Sequence, residues 1–87
     1  MAELAERIES ELEEVRRMRD ELRLQVHLGK AEAQELWESL EHRFSEAEGK
    51  AKVMAQRAEE PLADIGEAAR LLLWEIRSGY HRLREIL

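Results

Sequence analysis

The feature that most constrains this chain is an apolar series whose steps are all three or four residues. It runs Leu4, Ile8, Leu12, Val15, Met18, Leu22, Val26, Gly29, Ala33, Leu36, Leu40, Phe44, Ala47, Ala51, Met54 and Ala58, and resumes after Pro61 with Leu62, Ile65, Ala69, Leu72, Ile76, Tyr80, Leu83 and Leu87. Such spacing keeps every member on one face of an α-helix, whereas a half-buried strand would alternate. From Leu4 to Leu87 there are 23 steps over 83 residues. The mean of about 3.6 is the period of a straight helix rather than the 3.5 of a left-handed coiled coil. Composition agrees. Ala, Glu, Lys, Leu and Arg, which lose little conformational freedom in a helix, occupy 56 of 87 positions, and Thr, Asn and Cys are absent. The fold class is therefore all-α.

Breaks in the series decide the architecture. Pro61 has no amide proton and clashes with the preceding turn, which costs about 3 kcal/mol inside a helix and little at a first helical position. Glu59, Glu60 and Asp64 place negative charge where the dipole of a following helix favours it. Residues 59–61 are thus read as a turn, although the stripe keeps phase across them as in a kinked helix. Gly29 and Gly49 are not followed by a capping Ser, Thr, Asp or Asn. Both are read as interior to one helix over 3–58, paired with a shorter helix over 62–86. A three-helix chain that breaks near Gly29 is the alternative. On the opposite face, Glu3 with Arg7, Glu13 with Arg17, Glu46 with Lys50 and Glu48 with Lys52 have ion-pair spacing.

A helix over 3–58 would be about 80 Å long, more than twice its partner. Such a long hairpin, forming a single domain over 1–87, leaves the stripe of residues 4–30 bare, and bare apolar strips of that length belong in interfaces. The expected assembly is an oligomeric helical bundle, a four-helix bundle made by two hairpins, with the chain itself as partner in a homodimer or tetramer. Another protein is a further possible partner. The expected oligomer interface comprises Leu4, Ile8, Leu12, Val15, Leu22, Val26, Gly29, Leu36, Leu40, Phe44, Leu72 and Ile76, with Trp37, Phe44 and Trp74 as large fillers. Substitutions such as Leu12→Glu or Leu22→Glu should then dissociate the assembly and spare the hairpin. Alanines 47, 51, 55 and 58 allow close helix approach, and the run Leu71 to Trp74 makes the last helix apolar on two sides, as contact with two neighbours requires.

No histidine has a Glu three residues before it, so the Glu-x-x-His pairs of di-iron bundles are missing. Glu38 and His42 stand one turn apart, a spacing that a Glu-rich helix produces by chance. The serines lack a strained turn with His and acid partners, and the four glycines are isolated rather than gathered in a phosphate loop. No catalytic residue, cofactor or metal is expected, and the chain is read as non-enzymatic. Without cysteine there are no disulfides or thiolate sites, which suits a reducing cytoplasm.

The net charge of −6 divides unevenly, with 16 acids and 10 bases in residues 1–60 against four of each in 61–87. An acidic arm repels phosphate backbones, so nucleic acid is not an expected partner. The cluster of Arg16, Arg17, Arg19 and Arg23 is read as a solvated face paired with Glu13, Glu14 and Asp20. The start of the chain lacks the basic patch and apolar run of a signal peptide, and its longest apolar run, four residues, is far short of a bilayer span. An amphipathic last helix could instead lie on lipid, as apolipoprotein helices do, but its polar face mixes acids with bases. The segment LRLQVHLGKAEAQELWESLE, residues 22–41, resembles a recurring stretch of small bacterial coiled-coil proteins with an HLGKAEA core followed by Trp-Glu. That resemblance implies a helical, non-enzymatic protein and no particular activity. The chain is thus expected to be a helical scaffold or protein-interaction module, with a lipid-surface protein as the alternative.

Overall fold

The structure, a computed structural model, describes residues 2–57 and 63–87. It contains three helices, α1 (Ala2–His27), α2 (Ala31–Gln56) and α3 (Ala63–Ile86), and no strand among the described residues. The turn assigned to 59–61, with Pro61, Ala58 and Leu62, lies outside the described residues.

The continuous helix over 3–58 is corrected: it is broken at Leu28–Lys30, as in the three-helix alternative. Helical hydrogen bonding runs on past His27, with Leu28 N–H donating to Leu24 O at 3.3 Å and Gly29 N–H to Val26 O at 3.0 Å. Lys30 then turns extended, at φ −71° and ψ 160°, and Gln34 N–H returns to Lys30 O at 3.1 Å. No side chain caps α2. An absent cap costs about 1 kcal/mol, and Gly29 is already a weak helix residue by a similar amount. Against this, the break lets Ile8, Leu12, Val15, Leu22 and Val26 of α1, each at most 2% exposed, bury within the chain. At about 1.5–3 kcal/mol per side chain, that burial is worth on the order of 10 kcal/mol. Burial wins over capping.

Cross-helix contacts fix the topology. Arg19 meets Glu41 and Arg16 meets Glu48, so α1 and α2 are antiparallel. Arg43 meets Glu75 and Trp37 stacks on Tyr80, so α2 and α3 are also antiparallel. Glu14 meets Arg77 and Glu21 meets Arg84, which sets α1 and α3 parallel. The result is an up-down-up three-helix bundle of 45 × 17 × 17 Å. Its axis holds Ala33, Trp37, Leu40, Phe44, Ala47, Ala51 and Met54 from α2 and Ala69, Leu73, Ile76, Tyr80 and Leu83 from α3, together with the α1 residues above. Leu40 lies directly on the α3 backbone at Gly79, where a Cβ would stand within 2.9 Å of Leu40 Cδ1. The bare strip at 4–30 therefore does not exist in this chain, since α2 and α3 cover it.

Candidate interaction surface

The residues assigned to an oligomer interface are brought together, but inside one chain. Ile8, Leu12, Val15, Leu22, Val26, Leu40, Phe44 and Ile76 are buried in the bundle, and Leu4, Leu36 and Leu72 are half-buried against it. Gly29 sits half-buried in the connector, where an added Cβ would stand 3.0 Å from Leu87 Cδ2. Covered by their own α2 and α3, these side chains are not offered to a second chain by the closed bundle. Trp37 and Phe44 fill the core as expected of large residues, but Trp74 fills nothing and is 65% exposed. Its place as the second large ring is taken by Tyr80, stacked on Trp37 with centroids 6.0 Å apart.

The polar surface also departs from the sequence pattern. Arg16 binds Glu13 on its own helix and Glu48 on α2, the latter at 3.0 Å. Arg19 forms a two-pronged pair with Glu41 at 2.5 and 2.7 Å and lies 4.8 Å over the Phe44 ring. These hydrogen bonds, to Glu48 and Glu41 respectively, hold both guanidinium groups still more firmly protonated. Two of the four clustered arginines thus clamp α1 to α2 rather than face water alone. Among the described residues, none of the four i to i+4 pairs read from the sequence is within ion-pair distance. Glu46 instead meets His42 at 3.4 Å, which leaves Glu38 without that histidine. The misassignment has a plain cause: sequence spacing reports neighbours on one helix and is blind to carboxylates carried by the next.

What the bundle leaves uncovered lies in two places. On the outward face of α3, Leu71 and Trp74 are 58% and 65% exposed, one helical turn apart. Trp74 forms a rib between two shallow grooves, one reaching Glu11, Glu67 and Arg77 towards α1, the other reaching Leu36, Arg43 and Arg82 towards α2. At one end of the bundle, Leu24, Leu28 and Leu87 are exposed around the α1–α2 connector. The apolar series missed Leu24, Leu28, Leu71 and Trp74 because each lies off its phase. The two-sided apolar character of α3 was the available signal for the α3 pair.

The chain matches no known protein family, characterised protein or solved structure. Among the described residues no three His, Cys, Asp or Glu side chains converge as metal ligands, and no helix is long and apolar enough to cross a membrane. His27, Lys30 and His81 are exposed.

Proposed function

We propose that the chain is a non-enzymatic, self-associating interaction module that pairs with a second copy through the outward face of α3. The observation that carries the reading is Trp74, a large ring left 65% exposed beside Leu71 on a bundle that buries most of its apolar stripe. Tryptophan on a surface is the residue type most often at the energetic centre of an interface. Two α3 helices laid antiparallel about a two-fold axis between Leu72 and Leu73 set Leu71 against Trp74 of the other copy. The same register opposes Arg70 to Glu75, twice by symmetry. Apolar and charged positions are complementary in one register. Two α3 helices backed by their own α2 helices also make a local four-helix layer. An interface centred on one Trp and one Leu per chain belongs to the small, transient size class.

Sedimentation of the purified chain across a concentration series tests this. Wild-type chain folded at low concentration and then concentrated should associate reversibly, while Trp74→Glu handled in the same way stays monomeric with helicity and melting temperature unchanged, because an exposed position contributes little to the fold. A wild type that is monomeric throughout the range, or a Trp74→Glu variant that associates equally well, sinks the proposal.

The same exposed pair favours one second reading, a lipid-surface role in which Leu71 and Trp74 enter the headgroup region. With Trp37→Phe leaving Trp74 as sole reporter, fluorescence unchanged on adding neutral and anionic vesicles removes it.

A further inference from the structure

We propose that Lys30 is a hinge through which two copies of the chain exchange α1, giving a swapped dimer in which α1 and α2 form one continuous helix. The inference rests on the self-association reading only in naming a second copy as partner, and its interface is a different one.

Leu28 N–H continues the ladder of α1 to Leu24 O, Gly29 N–H closes it with a tighter bond to Val26 O, and the φ of Lys30, −71°, is one that helical and extended backbone share. The torsion that departs is the ψ of Lys30, 160° against about −42° in a helix. Bringing that ψ to its helical value, with Gly29 N–H passing from Val26 O to Gln25 O, carries α2 into line with α1. The apolar series makes no stagger where this would happen: Val26, Gly29 and Ala33 follow at three and four residues. A turn does not require the stripes before and after it to share a phase, but a continuous helix does.

The exchanged dimer keeps the contacts of the closed bundle. Arg19 with Glu41 and Arg16 with Glu48 pair at positions summing to 60 and 64, so two continuous helices laid antiparallel in that register cross between positions 30 and 32. Arg19 of each copy then meets Glu41 of the other, and the α1 side chains re-enter an equivalent core built by the partner's α2 and α3. Leu28, 81% exposed, and Leu24, 69% exposed, are the two most exposed large apolar side chains among the described residues, and both flank the hinge. The crossing brings the two hinges, and with them Leu87 of each α3, to the same place along the dimer. Exchange of an element through a short connector is a low-cost route to a dimer because few new contacts are needed.

Two substitutions move the equilibrium in opposite directions. Gly29→Ala crowds the closed connector, where the new Cβ stands 3.0 Å from Leu87 Cδ2 and 3.2 Å from Gln25 O, and it favours the continuous helix. The helix preference alone is about fivefold per chain, or roughly thirtyfold in the dimer association constant. Ala31→Pro occupies a first helical position, where proline is tolerated, and biases Lys30 to its extended conformation, so it locks the closed form.

The chain has no cysteine, so Glu9→Cys and Lys52→Cys, both exposed, can carry spin labels. Labelled chain is refolded at high concentration with excess unlabelled chain, so that only distances within one chain are read. Closed chains hold the labels on neighbouring helices. A continuous helix places them about 65 Å apart, from 43 residues at 1.5 Å each. The expected result is a dimer fraction with the long distance, enriched by Gly29→Ala, abolished by Ala31→Pro and retained by Trp74→Glu. A dimer that shows only the short distance overturns the exchange and leaves pairing through α3 standing. A dimer lost in Trp74→Glu but kept in Ala31→Pro also overturns it, as does a chain that stays monomeric with Gly29→Ala in place.

Discussion

Tyr80 carries a prediction whose sign runs against the usual cost of changing a core residue. The side chain is fully buried, stacked on Trp37, and its hydroxyl makes no hydrogen bond to any protein atom. A buried hydroxyl without a partner has exchanged water for nothing, at a cost of about 1–3 kcal/mol. Tyr80→Phe removes that oxygen and keeps the ring, so it should stabilise the bundle by about 1 kcal/mol or more. For a domain of this size each kcal/mol raises the melting temperature by about 4–8 °C. Thermal and urea unfolding, followed by circular dichroism, read the shift directly. A Phe variant less stable than the wild type refutes the argument, because the hydroxyl would then have a favourable interaction in the native state.

The same group makes an independent pH prediction. Burial, with the negative charge of Glu41 adding and Arg19 opposing, pushes the Tyr80 phenol well above its ordinary range. Above pH of about 10 the unfolded chain releases this proton and the folded chain does not. Protons bound then number fewer in the unfolded state, so stability falls as pH rises. The slope approaches 1.4 kcal/mol per pH unit, is absent below that range, and should be missing from Tyr80→Phe. Stability of the two proteins measured from neutral to strongly alkaline pH should therefore diverge. Parallel curves would show that the phenol ionises equally in both states. As Tyr80 is the only tyrosine, near-ultraviolet titration of the native protein reports its phenolate without interference from another.

Two further outcomes follow from the packing. Leu12→Glu or Leu22→Glu places a carboxylate at a site 2% exposed, so the variant should lose helicity and its cooperative melt, not merely dissociate; a folded helical monomer would contradict the core assignment. Gly79→Ala forces Leu40 away from the α3 backbone and should cost on the order of 1–3 kcal/mol as overpacking, which Leu40→Ala in the same chain should partly relieve; equal destabilisation with and without that second change would refute the contact.

Helix content was legible in the sequence because a period near 3.6 and a composition rich in Ala, Leu, Glu and Arg both demand it. Most of the core was legible for the same reason: the series named Ile8, Leu12, Val15, Leu22, Val26, Leu40, Phe44 and Ile76, and they are buried. What it could not reveal was which helix covers which. Val26, Gly29 and Ala33 satisfy the series whether the chain turns at Lys30 or continues, and no cap residue marks the turn. Arg19 looked solvated because its partner, Glu41, lies 22 residues away on another helix. Trp74 looked like a core filler because size and apolarity do not tell which side of a two-sided helix faces inward.

The ambiguity at Gly29 has physical content beyond the difficulty of reading it. A stripe that keeps helical phase across a connector can be buried by folding back on its own chain or by lying against another, and the core contacts are the same in both. Enthalpy and burial then barely separate the two forms. What separates them is the entropy of bringing two chains together against the local cost of turning at Lys30, so chain concentration and the residues at 29 and 31 become the controlling variables. The closed bundle removes the bare strip that a long hairpin would have presented to a partner. It does so by a turn that lacks a cap, beside a glycine, and that local cost is what the continuous helix relieves.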